Sequence, residues 1–260
     1  MRRRHFLASV AGAAILPPGV AAAEDSQREY YELRRYKLRS GSQTRLIERY
    51  LADALIPALN RLGMKPIGAF NLDLGPETPT LYLLIPSSSP EALVNAELRL
   101  AADDQYNKSG EPFLTAPAKE PPFERIESSL MIAFEGWPKL VVPPVTAQKG
   151  KRVFQLRTYE SPSIRDHRVK VEMFHNGEFE VFRRAGFWQV FYGDKLLGER
   201  LPNLTYMLSF PSVAEMDAKW NAFRADPEWK KLSSNPKFSF ESIVTNISNL
   251  ILSPTSYSQI

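Results

Sequence analysis

Tyr31-Glu-Leu-Arg-Arg-Tyr36 and Phe154-Gln-Leu-Arg-Thr-Tyr159 are two versions of one strand, 123 residues apart in a chain of 260. Gly63 and Gly186 keep the same offset. Further out, Leu81-Tyr-Leu-Leu-Ile-Pro-Ser87 aligns with Thr205-Tyr-Met-Leu-Ser-Phe-Pro-Ser212 when one residue of slack is allowed, Tyr on Tyr and Pro-Ser on Pro-Ser. Later still, Glu127-Ser-Ser-Leu-Met-Ile resembles Glu241-Ser-Ile-Val-Thr-Asn. Landmarks recurring in one order at this spacing describe a duplicated domain, because solenoid units repeat every ~20–50 residues.

Each half opens on an alternating strand. A helix follows from a capping signal, Ser42 in the first half and Ser161-Pro162 in the second, and ends near Gly63 or Gly186. Pro57 predicts a kink in the first of these helices. Strand-like runs come next at 66–72 and 80–86, and at 187–193 and 204–210. Helices from Pro90 to Ala101 and from Val213 to Phe223 start after Ser89 and Ser212, and final strands fall near 124–134 and 240–251. Strand, helix, strand, strand, helix, strand is the split βαβ unit. The predicted fold is α+β: two tandem ferredoxin-like βαββαβ units forming a pseudo-dimeric α/β barrel. The units are 24–136, with a Pro-rich irregular insertion at 104–122, and 151–252, joined by the linker 137–150 and followed by a tail, 253–260.

Residues 1–23 carry Arg2-Arg3-Arg4-His5-Phe6-Leu7, a modestly apolar stretch and Ala21-Ala22-Ala23. This is the order of a twin-arginine-type export signal, with cleavage expected before Glu24 and a periplasmic or secreted destination. Without it the chain carries 30 basic and 29 acidic residues, so nothing electrostatic favours nucleic acid or an anionic membrane. No run is long enough to span a bilayer once the signal is gone. The absence of cysteine excludes disulfides, thiolate metal sites and cysteine nucleophiles. After signal removal only His167 and His175 remain, too few for a three-histidine zinc site, and no metal site or cofactor is evident. Phosphate-loop, dinucleotide, nucleophile-elbow and zinc-protease motifs are missing.

Alternation along the first strands puts Tyr31 and Leu33 with Phe154 and Leu156 on one face, read as the helix-facing one. Glu32, Arg34 and Tyr36, with Gln155, Arg157 and Tyr159, then point into the barrel. They form either a cavity that orients a polar or anionic ligand or a satisfied structural network. On the second helix, 100° per residue places His175 in the apolar stripe, with His167 and Glu178 flanking it. His175 is a candidate axial haem ligand, or a general base held by Glu178, or a buried structural histidine. Trp188, Phe191 and Tyr192 would line an apolar pocket or fill a strand core.

Taken together, Glu32-Leu-Arg-Arg-Tyr36, its repeat at Gln155–Tyr159, the Gly186 turn, Ala218-Lys-Trp-Asn-Ala-Phe-Arg224 and Asp226-Pro-Glu-Trp229 resemble the NIPSNAP family over about residues 30–252, most strongly over 152–232. The first half departs from the pattern: it has the proline-rich insertion instead of Asp-Pro-x-Trp. The resemblance implies a dimeric α/β-barrel fold, whose wider membership includes small monooxygenases, haem-binding enzymes and pure binding proteins. It assigns no catalytic residue. The function expected is that of an exported protein that binds a small ligand in its barrel or acts as an interaction protein, with a homo-oligomer as one arrangement. A small oxidoreductase or monooxygenase, or a haem-binding enzyme, is the alternative.

Overall fold

A computed structural model describes residues 27–39 and 41–260. The expected leader, 1–23, and its cleavage point before Glu24 lie outside the described residues. Each unit contributes four antiparallel strands. In the first they are β1 (Tyr30–Lys37), β2 (Gly68–Leu74), β3 (Thr80–Ser87) and β4 (Arg125–Ala133), and in the second β5 (Val153–Glu160), β6 (Trp188–Leu197), β7 (Asn203–Phe210) and β8 (Asn246–Pro254). Their order, β1-β3-β2-β8-β5-β7-β6-β4, closes a barrel. The closing seams are β2 with β8 and β4 with β6, so each unit seals the other and every strand has two neighbours. Among the described residues no free sheet edge remains to recruit another chain.

The helices lie outside. In the first unit α1 (Ser42–Tyr50) runs through a wide π turn, Leu51–Leu55, into α2 (Ile56–Arg61), and α3 (Pro90–Val94), α4 (Ala96–Leu100) and α5 (Asp104–Leu114) follow β3. In the second, α6 (Ile164–Met173) runs through a π turn, Phe174–Glu178, into α7 (Phe179–Arg184), and α8 (Val213–Ala225), α9 (Pro227–Ser233) and the short α10 (Phe240–Ile243) follow β7. The two π turns fall at the 123-residue offset of the repeat. Pro57 follows directly on the wide turn, at the start of α2, where a helix that had run on in α geometry would lack its N–H.

Several expected boundaries move. The cap of α6 is Ser163, whose Oγ accepts from Asp166 N at 3.1 Å, and not Ser161; α1 starts behind Gly41 with no side-chain cap. Residues 104–122 are not irregular throughout, because α5 occupies 104–114. It is capped by Asp103, and its Tyr106 and Phe113 pack under the first unit's helices. The start of the predicted final strand is α10, which buries Ile243 in the second core. The expected tail belongs to the barrel: Thr255 N and Gln259 N donate to Ala69 O and Ile67 O of the β2 edge, and Ile260 is buried in the lumen.

Tyr31, Phe70, Leu84, Met131, Phe154, Leu156, Phe191 and Met207 fill that lumen, with Tyr31 against Phe191 at 5.1 Å and Phe70 against Phe154 at 4.7 Å. The predicted assignment of faces is therefore reversed. Tyr31, Leu33, Phe154 and Leu156 look into the barrel, whereas Glu32, Arg34, Tyr36, Gln155, Arg157 and Tyr159 look out under the helices. Both faces of a closed barrel are covered, so alternation separates them without saying which is inside. The physical reason for the outcome is solvation. The packed middle of the lumen, filled by aromatic and aliphatic side chains, offers a charge no partner, while helix residues such as Glu97 supply partners in the sheet–helix layer.

Candidate functional site

The two outward-facing triplets occupy equivalent places and are treated differently. In the first unit Arg34 is fully matched. Its Nε and Nη2 donate to Glu32 Oε1 and Oε2 at 2.8 and 3.2 Å, and its Nη1 donates to Glu97 Oε1 of α4 at 2.7 Å and to Tyr36 Oη at 3.3 Å. Ser128 Oγ donates a further bond to Glu32 Oε1 at 2.7 Å. Beside this network α5 fills the space under the helices: Tyr106 and Tyr50 share a hydroxyl hydrogen bond of 2.8 Å, and Phe113 stacks on Tyr50 at 3.9 Å. Here the structural-network reading of Glu32, Arg34 and Tyr36 describes the geometry.

In the second unit Gln155 stands where the first has Glu32, and the counterpart of α5 at the repeat offset is the shorter α9, capped by Asp226 as α5 is by Asp103. The same layer is an open cavity of about 380 Å³. Arg157 reaches it with no carboxylate bridging its guanidinium among the described residues. Nε and Nη2 donate only to Tyr159 Oη, at 3.3 and 3.0 Å. The guanidinium lies over the Trp220 ring at 4.6 Å and near the Tyr159 ring at 5.3 Å, an arrangement that a planar delocalised cation favours. Trp220 Nε1 donates to Gln155 Oε1 at 2.7 Å, and Gln155 Nε2 donates to Asn249 Oδ1 at 2.9 Å, so Gln155 holds the indole in place. Behind Tyr159 its hydroxyl meets Tyr206 Oη at 2.8 Å. Burial pushes the Tyr206 phenol well up, as it does Tyr192, so both stay neutral and supply no counter-charge to Arg157.

The cavity wall is polar where the first unit is aliphatic. Lys170 Nζ donates to Glu178 Oε2 at 2.7 Å, with the two side chains 1% and 3% exposed. At the repeat offset these residues correspond to Ile47 and Leu55, both fully buried. Lys170 is further held over the Phe174 ring at 4.6 Å. An ideal helix would put residues eight apart about 80° out of line. The π turn, with the positive φ of Gly177 inside it, brings Glu178 back toward Lys170.

The same turn explains where the histidines go. It shifts the phase of the helix, so His175 is exposed, not buried in the stripe. Its Nε2 accepts from Gly136 N at 3.0 Å and its Nδ1–H donates to Val171 O at 2.9 Å, which fixes the tautomer and ties the end of the first unit to the helix. With both nitrogens engaged outside the cavity, His175 does not fit an axial haem ligand, nor is it paired with Glu178. His167 is buried, and its Nε2 lies 2.7 Å from Asp194 Oδ1, away from the cavity lining. Of the predicted residues the structure therefore brings together Gln155, Arg157, Tyr159 and Glu178. Lys170, Trp220 and Tyr206 were missed. Carrying the repeat alignment through the helices marks the first, since a Lys and a Glu replace two aliphatic residues there. Phe191 belongs to the lumen core and Tyr192 to the second helix-side core, and Trp188 packs against the lumen core.

Residues 154–259 match the family model described as NIPSNAP, which leaves the first unit outside the match and takes in the segment expected as a tail. No curated protein matches the chain. Among solved structures, a NIPSNAP-like domain protein from Burkholderia xenovorans is 17% identical over 41% of this chain and 88% of its own, at a TM-score of 0.37. A provisionally assigned monooxygenase from Lactobacillus acidophilus NCFM is 9% identical, covering 87% of this chain and 94% of its own at a TM-score of 0.56. An anthrone oxidase-like protein is 12% identical, covering 89% and 93% at 0.53. The latter two likenesses extend over both units and show a shared fold.

Proposed function

Because the NIPSNAP family model matches the second unit, residues 154–259, we propose that the protein's function resides in that unit: binding of a small planar anion, an aromatic carboxylate in chemical class, in the cavity between β5 and the α6 and α8 helices. One observation carries this reading. Arg157 is left without a carboxylate and stacked on Trp220, while its repeat-mate Arg34 is neutralised twice over. A guanidinium that keeps donors free beside an aromatic wall recognises a carboxylate through its edge and a ring through the surrounding faces. The volume, at the small end of the ~300–1,000 Å³ range of ligand pockets, suits one or two rings. Trp229, Phe223 and Met216 supply apolar lining.

Export by the twin-arginine-type leader completes the proposal, with the folded protein holding its ligand outside the cytoplasm. A homo-oligomer would form through helices, since strand pairing is used up. The oxidoreductase alternative draws on the oxidase-like and monooxygenase-like neighbours, and the Arg157–Tyr159–Tyr206 chain is where it would act. Calorimetric titration with benzoate and 1-naphthoate tests the binding reading. Saturable binding that Arg157→Gln abolishes supports it; equal binding by parent and variant sinks it. Consumption of an aromatic substrate by the parent in air would move the assignment to the enzyme.

A further inference from the structure

A second cavity, of about 360 Å³, opens at one mouth of the barrel and plays no part in the proposal above. Its floor is the top of the packed lumen: Leu33, Tyr82, Leu156 and Leu250. Lys195 stands on this floor. It follows Phe191 and Gly193 on the lumen face of β6, and Gly193 is where a Cβ would collide with Met131 of the facing strand. The carboxylates near it are engaged elsewhere. Glu127 pairs with Arg35, Glu160 pairs with Arg200 at 3.0 Å, and Glu199 lies 3.7 Å from Arg35. Among the described residues Lys195 Nζ makes no ion pair and no hydrogen bond. A lysine over an apolar floor, flanked by two arginines and bridged to no carboxylate, has the setting in which an amine is presented as a nucleophile.

We infer that the barrel mouth is a second site, for a small carbonyl compound with an apolar body, in which Lys195 condenses with the carbonyl to form an imine. The Nζ lone pair adds to the carbonyl carbon while the carbon–oxygen π pair moves to oxygen, giving a carbinolamine after proton transfer from nitrogen to oxygen. Loss of water breaks the C–O bond as the C=N bond forms. No electrons change hands, and no co-reactant is needed.

Burial, and then the neighbouring Arg200, hold the Lys195 ammonium down to about 8; Glu199 and Glu160 oppose this and Arg35 adds to it. A larger share of Lys195 is therefore the free amine at neutral pH than of an ordinary lysine side chain in water; Lys231, 80% exposed, serves as the surface reference for labelling.

The test uses the full chain with hexanal and cyanoborohydride, which reduces the imine to a stable secondary amine, and maps adducts by peptide mass spectrometry. At pH 7 the adduct at Lys195 is expected to form roughly tenfold or more faster than at Lys231. Its rate should rise with pH and level off near pH 8. Formaldehyde, which has no apolar body, should show a smaller preference for Lys195. Lys195→Arg should remove the fast adduct while the melting temperature holds. Labelling of Lys195 no faster than of Lys231 in the parent overturns the amine assignment, independently of how the variant folds. Equal preference with hexanal and formaldehyde overturns the apolar site.

Discussion

The Lys170–Glu178 pair is the most costly feature of the second unit, and the repeat supplies its own control. In the first unit the equivalent positions hold Ile47 and Leu55. Changing Lys170→Ile alone strands a carboxylate, and changing Glu178→Leu alone strands an ammonium, in a layer where both side chains are at most 3% exposed. Breaking one partner of such a pair costs ~3–5 kcal/mol, whereas replacing both with apolar groups is often neutral or stabilising. Each single variant should therefore lose about 3–5 kcal/mol. At roughly 2–4 °C per kcal/mol for a chain of this size, that is a fall in melting temperature of roughly 6–20 °C. The double variant Lys170→Ile/Glu178→Leu should return close to the parent, since the substituted residues already pack beside an equivalent π turn. Urea unfolding of the four proteins closes a double-mutant cycle. Singles that each cost less than about 1 kcal/mol, or a double whose loss equals their sum, would refute the claim that the pair is a buried and coupled unit.

Other outcomes follow from the same geometry. Arg34→Gln should cost ~2–4 kcal/mol by urea unfolding, because it strands Glu32 in the buried layer, while Arg157→Gln should unfold close to the parent. Equal losses would erase the contrast between the units. Phe113→Ala should cost ~3–5 kcal/mol, seen as a lower urea midpoint, because it removes the ring stacked on Tyr50 and empties the space that α5 fills. His175→Ala should cost about 1 kcal/mol, the worth of its bonds to Gly136 and Val171, and leave benzoate affinity unchanged; a loss of binding would bring His175 back to the site. Asp226 caps α9 and meets Arg184, which holds its carboxyl at about 2. Its contribution is fully present above the unfolded value of ~3.9 and is lost as pH falls through about 2. The stability gap between parent and Asp226→Asn should hold steady above pH ~4 and narrow below it. A gap that does not change with pH would show that ionisation is irrelevant to the cap.

The repeat of Tyr31–Tyr36 in Phe154–Tyr159, with its trailing landmarks, was enough to read two βαββαβ units and a barrel, because strand alternation, caps and Gly stops are local properties of the chain. It also singled out Arg157 and Tyr159. Which face of β1 and β5 lies inside could not be read locally: both faces of a closed barrel are covered, one by the opposite strands and one by the helices, and alternation separates them without ordering them. The phase of α6 was equally hidden. A π turn is not written in hydrophobic periodicity, so the sequence points His175 inward; Lys170 lies before that turn, on the regular stripe of His167 and Met173, and is marked only when the repeat is carried through the helix. The asymmetry between the units was half visible in Gln155 for Glu32. Only the fold showed that Glu97 and α5 close the first site from elements outside the strand, while their counterparts at the repeat offset, Trp220 and α9, bring Arg157 an aromatic face and no carboxylate. Charge partners come from distant parts of a chain, so the sequence determined which side chains were present, and tertiary packing decided which of them found a charge partner.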